Sequence, residues 1–262
     1  MKYLNKKIFL LFLFFYLLLG SYNSINTGIS FDERYEELNW NFNFSTIKDL
    51  SNGIIGKQEF NRDKFDTEVK NFVGYGIGFQ IVSQPIQFLL KDLLIKRKNL
   101  DASGAKLLAK HLVVFLFFFI SGIFFYLILR KLIDNENFCI TGTIIYLTYP
   151  YLFGQAMFSP KDIPFMSIWL ACTFLSFNIF EKIIIENEIK INNLLIFSII
   201  TAFLLSTRLA GILIFIQYMI TFLLFINVFK KNFTEFLKKY YLKLFFFLLN
   251  FILFIFLFNP IF

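Results

Sequence analysis

Residues 112–129 read Leu-Val-Val-Phe-Leu-Phe-Phe-Phe-Ile-Ser-Gly-Ile-Phe-Phe-Tyr-Leu-Ile-Leu, without a single charge, and Arg130-Lys131 closes the run. A membrane-spanning helix needs about 20 mainly apolar residues, so this stretch reads as a span. The same signal recurs at roughly 138–153, 164–180 and 242–258. Residues 193–229 hold two more helices, because Ser206-Thr207-Arg208-Leu209-Ala210-Gly211 interrupts the apolar run. Towards the N-terminus, Ile8–Leu19 is intensely apolar but short, with Lys2, Lys6 and Lys7 before it and Gly20-Ser21 after it. It reads either as a signal peptide or as a retained anchor stretching towards Ile25. Counted as an anchor, it brings the total to about seven crossings, which predicts an all-α, polytopic membrane protein.

The bulk composition agrees. The chain has 262 residues, of which 57% are hydrophobic, and a mean hydropathy of +0.65, too apolar for a soluble domain. Its net charge of +8 is spread over loops between spans, and no basic cluster lies on a soluble face, so nucleic acid is excluded as a partner. Cys139 and Cys172 sit in apolar segments, which argues against a disulfide framework or a cysteine metal site. The single histidine, His111, excludes zincin motifs and His-rich metal centres. Because the chain stops at Phe258-Asn259-Pro260-Ile261-Phe262, directly after an apolar segment, residues 1–262 are expected to be the N-terminal portion of a longer membrane domain.

Orientation follows from the positive-inside rule. With the N-terminus inside, the inner loops hold Arg130-Lys131, then Lys182 and Lys190, then Lys230, Lys231, Lys238, Lys239 and Lys243. The short outer loops hold only Lys161 and Arg208. Residues 21–111 form one long outer excursion. Its middle, roughly 45–72, is charged and mixed, with turns expected at Gly53 and Gly56. Gly74-Tyr75-Gly76-Ile77-Gly78 has no strand–loop–helix context and reads as flexible rather than as a phosphate loop. From Phe79, apolar Val82, Ile86, Leu89, Leu90 and Leu93 alternate at helical spacing with Gln80, Ser83, Gln87, Lys91 and Asp92. That pattern predicts an interfacial helix over 79–95, followed by Lys96-Arg97-Lys98 among headgroups or solvent.

This topology collects the ionic residues on one face. Phe31-Asp32-Glu33-Arg34-Tyr35-Glu36-Glu37 emerges there, as do His111 at the head of its span, the loop Gln155–Asp162 and Arg208. A charge at the bilayer centre costs about 3 kcal/mol or more, so gathering these groups at an interface is informative. Transfer of a sugar from a lipid phosphate to a hydroxyl needs a carboxylate to take the acceptor proton and cations to hold the departing phosphate. Asp32 or Glu33 suits the first role. Lys161 and Arg208 suit the second, with Asp162 and His111 beside them.

The order of these features resembles GT-C fold membrane glycosyltransferases, whose best-known members are the protein O-mannosyltransferases and the aminoarabinose transferases of lipid A. The resemblance rests on Phe31-Asp32-Glu33, a Tyr75-Gly76 stretch leading into the interfacial helix, and Lys110-His111-Leu112. It also rests on Phe158-Ser159-Pro160-Lys161-Asp162-Ile163-Pro164-Phe165 and Thr207-Arg208-Leu209-Ala210-Gly211. The piece Pro160-Lys161-Asp162-Ile163-Pro164-Phe165 is the most specific. The resemblance implies Asp32 as general base, Glu33 as its neighbour or a metal ligand, and a polyprenyl-phosphate sugar as donor. It further implies a protein or glycolipid acceptor and an active face on the periplasmic side of a bacterial inner membrane. Gln155 and Ser159 stand where His and Asn are expected in many relatives.

Plainer readings stand beside each assignment. Asp32 and Glu33 also suit a solvated helix start, and Glu36 and Glu37 read as surface charges. Asp162 also suits a helix cap, Arg208 a snorkelling cation and His111 an interfacial anchor. Four acids suffice to hold a divalent cation, but nothing in their spacing fixes a geometry. The rival function classes are a multi-spanning transporter and a non-catalytic membrane protein.

Overall fold

The structure, a computed structural model, describes residues 2–51, 76–186, 188–230 and 233–258. Among these residues the chain is all-helical: α1 (Lys2–Ser24), α2 (Phe31–Ser51), α3 (Gly78–Lys98), α4 (Ala102–Leu132), α5 (Glu136–Thr148), α6 (Pro150–Gln155), α7 (Asp162–Glu181), α8 (Ile191–Thr207), α9 (Ile214–Val228) and α10 (Phe233–Phe258). A π-helical turn, Lys182–Glu186, extends α7, and a 3₁₀ turn, Leu209–Leu213, joins α8 to α9.

Among the described residues five helices are long and apolar enough to cross a membrane: Lys6–Ser24, Ala102–Leu132, Asp162–Ile185, Leu209–Val228 and Lys238–Phe258. Their outward side chains, such as Leu10, Leu224 and Leu257, are apolar and exposed, an exterior that suits lipid. The expected count of about seven is not reached at full length. The 138–153 run is split, because Tyr149 precedes Pro150 and adopts an extended backbone (φ −60°, ψ 117°). A proline's ring disfavours the helical conformation in the residue before it, so α5 ends after 13 residues and α6 adds only 6. α8 has 17 residues and stops where expected, at Arg208, whose backbone is extended (φ −150°, ψ 137°).

α4 is the axis of the bundle. At 31 residues it is about 46 Å long, and α1, α3, α5 and α7 all pack along it. Asp101 caps it, its carboxylate accepting from the Gly104 amide at 3.0 Å, while Arg130 and Lys131 in the last turn complement the helix dipole. Val114, Phe115 and Phe118 are fully buried there beside Leu147 of α5, Ile163 of α7 and Tyr16 of α1. The Tyr16 hydroxyl donates to the Leu147 carbonyl at 2.5 Å, filling one acceptor that the end of α5 leaves open. A second core joins α7, α8, α9 and α10 around Cys172, Phe197, Leu204 and Tyr218.

α3 turns its polar face inward. Gln80, Ser83 and Gln87 point inward and are essentially inaccessible, whereas Val82, Phe88, Leu89 and Leu93 are exposed. Ile86 packs against the α4 core, and Leu94 packs against Ala105, Leu108 and Ala109 of the same helix. A helix that buries its polar stripe and shows leucine outward suits contact with lipid.

The ionic groups separate to the two ends of the bundle. At one end Lys6 lies 3.1 Å from Glu136, Arg130 lies 3.8 Å from the same carboxylate, and Lys131 pairs with Glu181. The hydrogen bond from Lys6 holds the Glu136 carboxyl below its ordinary range, aided by the charges of Lys6 and Arg130. That stabilisation is present above the ordinary carboxylate pKa and fades as pH falls through the depressed value. The other end carries α2 and its partners.

Phe118→Ala is expected to lose about 3–5 kcal/mol, since the ring is fully buried and its loss leaves a cavity beside the bundle axis. Phe88→Ala, on the exposed face of α3, is the control. Thermal unfolding of the purified protein in detergent should separate the two variants.

Candidate functional site

The acidic helix is positioned from its first turn. Ser30 precedes α2, and Glu33 three residues later reaches back, Oε1 accepting from the Ser30 amide at 2.7 Å. This is one half of a capping box, and it fixes where α2 begins. The other oxygen, Oε2, lies 2.7 Å from His111 Nε2, and both side chains are 0% exposed. The second ring nitrogen, Nδ1, lies 3.2 Å from the carbonyl of Ser24, the last residue of α1.

The chemistry of these contacts limits where the protons are. A carbonyl only accepts, so His111 Nδ1 carries a hydrogen and donates it to Ser24. One further proton then lies between Nε2 and Glu33 Oε2, whether the pair is written as imidazolium and carboxylate or as imidazole and carboxylic acid. Three elements, α1, α2 and α4, meet through this one imidazole. His111 is therefore not an exposed interfacial anchor.

Glu36, 6% exposed, places Oε1 2.7 Å from Lys161 Nζ, just before α7. Glu37 lies 3.4 Å from Lys110 and 4.0 Å from Lys106, which sit one helical turn apart on α4. The Lys110 side chain is 0% exposed. The expectation that Glu36 and Glu37 are surface charges is corrected: each faces a cation across an element boundary. Beyond them α2 buries Asn39 and Asn43, so its described buried side chains are all polar.

Asp32 is the second residue of α2, and its side chain lies outside the described residues, as do Gly53, Gly56, Gly74 and Tyr75. Asp162 is not a side-chain cap. It is the first residue of α7, after Lys161, and its carboxylate accepts from Arg208. The Arg208 guanidinium also lies over the Phe165 ring, 5.7 Å from its centroid, so it is held from two sides rather than simply snorkelling. His111 and Glu33, Lys161 and Glu36, and Asp162 and Arg208 thus stand at one end of the bundle as three linked pairs. Among the described residues no three His, Cys, Asp or Glu side chains converge as a metal set. Glu33, Glu36 and Glu37 face His111 and lysines instead of one another.

The flexible reading of the glycine-rich stretch is corrected for its described part. A Cβ at Gly76 would fall 1.7 Å from the Ser206 carbonyl oxygen, and one at Gly78 would fall 2.1 Å from Ser206 Oγ. These glycines bring the start of α3 against the end of α8, two residues before Arg208. Lys110 and Glu36 were missed as site residues. Their signal was the Lys106/Lys110 spacing on α4 and the position of Glu36 one turn after Asp32, which hint at shared faces but name no partner.

No family model, curated protein or solved structure matches this chain.

Two outcomes test the geometry. His111→Leu is expected to cost about 3–5 kcal/mol by leaving Glu33 buried without its partner, and adding Glu33→Leu should recover part of that loss. A double-mutant cycle on thermal unfolding in detergent reads the coupling. Gly76→Ala is expected to destabilise by about 1–3 kcal/mol, whereas Gly28→Ala, with nothing within 4 Å of the added methyl, should be neutral in the same assay.

Proposed function

We propose that the chain is a GT-C-type membrane glycosyltransferase that moves a sugar from a polyprenyl-phosphate donor to an acceptor hydroxyl, at the end of the bundle bearing α2. The observation that carries this reading is the gathering there of two acid–cation pairs, Glu36–Lys161 and Asp162–Arg208, beside the buried Glu33–His111 pair. In a bundle whose spans are otherwise nearly free of charge, such a cluster marks where a charged substrate is handled.

Each residue then has a chemical task. Asp32 takes the proton from the acceptor hydroxyl as its oxygen attacks the anomeric carbon. The bond from that carbon to the phosphate oxygen breaks, and its electron pair leaves with the phosphate. Lys161 and Arg208 stabilise the departing charge, exchanging Glu36 and Asp162 for phosphate oxygens. Glu33 is a positioning residue in this scheme, since both its oxygens are engaged, one by Ser30 and one by His111. The inward polar and outward apolar faces of α3 suit a wall along which a lipid-linked donor approaches. The lysine-rich opposite end supports a cytoplasmic placement for it and a periplasmic placement for the α2 end, with a protein or glycolipid as acceptor.

A transporter is the second reading, favoured by the α8–α9 break at Arg208, since broken helices line many transport sites. One experiment separates the two. The full-length protein in liposomes is supplied with polyprenyl-phosphate hexoses and polyprenyl-phosphate aminoarabinose, and transfer to an acceptor fraction is measured. Asp32→Asn is expected to lower transfer by about 10²–10⁴-fold, and Arg208→Ala to lower it by about 10²-fold or more. If Asp32→Ala and Arg208→Ala both leave transfer intact, the glycosyltransferase reading is wrong.

A further inference from the structure

At the end of the bundle opposite α2, a groove of about 430 Å³ opens where α4, α7 and α9 end. Its wall is aromatic and aliphatic. The rings of Phe177 and Phe225 lie 6.3 Å apart, Phe225 stacks on Phe229 at 6.0 Å, and Leu132 and Leu224 complete the apolar lining. Lys131 and Glu181 also line it, ion-paired with each other. Three further cations adjoin lining residues in the chain: Arg130 next to Lys131, Lys182 next to Glu181 and Lys230 next to Phe229. Lys182 and Lys230 are exposed. The described acids nearest these cations are Glu181, the exposed Asp134 and Glu136, which lies 3.8 Å from Arg130. Cations therefore outnumber acids at the mouth of a cavity whose walls are hydrocarbon.

We propose that this groove is a binding site for one anionic phospholipid, with an acyl chain along Phe177, Leu224 and Phe225 and the phosphodiester on Lys131. A basic pocket between spans is suited to acidic headgroups. The occupant is a lipid rather than a soluble phosphate because most of the lining is apolar. It is an anionic lipid rather than a zwitterionic one because a headgroup carrying its own cation gains little from the exposed Lys182 and Lys230. Exchange at Lys131 is simple. The Glu181 side chain is 44% exposed, so the phosphodiester displaces it without leaving a buried charge. The assignment is independent of the chemistry at the α2 end.

Native mass spectrometry of the full chain, released from membranes holding equal phosphatidylglycerol and phosphatidylcholine, tests the site. The wild-type protein is expected to retain phosphatidylglycerol at least about fivefold over phosphatidylcholine. Lys131→Gln should bring the two lipids level. Leu224→Trp, at an outward position 59% exposed, should fill the groove and lower retention of both lipids. Glu181→Gln, which removes the competing carboxylate, should raise retention of phosphatidylglycerol. Equal retention of the two lipids by the wild type overturns the proposal. So does selective retention that survives both Lys131→Gln and Leu224→Trp in protein of unchanged helicity. Displacement of the lipid by millimolar glycerol phosphate would overturn the acyl-chain assignment.

Discussion

An ionic side chain taken out of water must find a partner, and the arrangement of this chain follows from where that demand is met. Glu33 and His111 meet it most completely, with neither side chain exposed and every polar atom of the two engaged. Removing the pair from water costs several kcal/mol per charge if it is ionised, and the cost is tolerated only with good geometry and additional hydrogen bonds. The Ser30 amide and the Ser24 carbonyl supply them. The end of α1, the start of α2 and the head of α4 are held in register by a contact between residues 78 positions apart. The pairs made by Glu36 and Glu37 extend the same logic along α2, reaching α7 and one further turn of α4.

Much of the helical framework was legible in hydropathy. The spans of α1, α4, α7 and α10 need only length and apolar content, and the break at Arg208 announces itself as polar residues inside an apolar run. The split between α5 and α6 was also written in the chain, at Tyr149-Pro150, but the surrounding residues are so apolar that the run reads as continuous. Hydropathy averages over a window, whereas a proline acts on one residue.

The site was legible in part, and the reason is distance along the chain. Topology brought Lys161, Asp162, His111 and Arg208 to the same end as the acidic helix, because turning at each span fixes which loops share a face. Pairing is a different matter. Glu36 meets Lys161 across more than a hundred residues, and nothing local tells a buried glutamate from a solvated one. α3 shows the same limit: its period reveals two faces, but which face turns inward depends on the surrounding solvent. Beside lipid, polar side chains turn inward, and Gln80, Ser83 and Gln87 do so, with the Ser83 hydroxyl bridging the two amides.

The contact of Gly76 and Gly78 with Ser206 has a mechanical consequence. Side chains between two helices act as a compliant layer, able to rotate and absorb small displacements. Here that layer is missing, and backbone lies directly on backbone two residues before Arg208. A tilt of α3 therefore bears directly on the backbone that leads into Arg208. The start of α3 and the end of α8 are thereby tied at one point, with no side chain on the glycine side to yield.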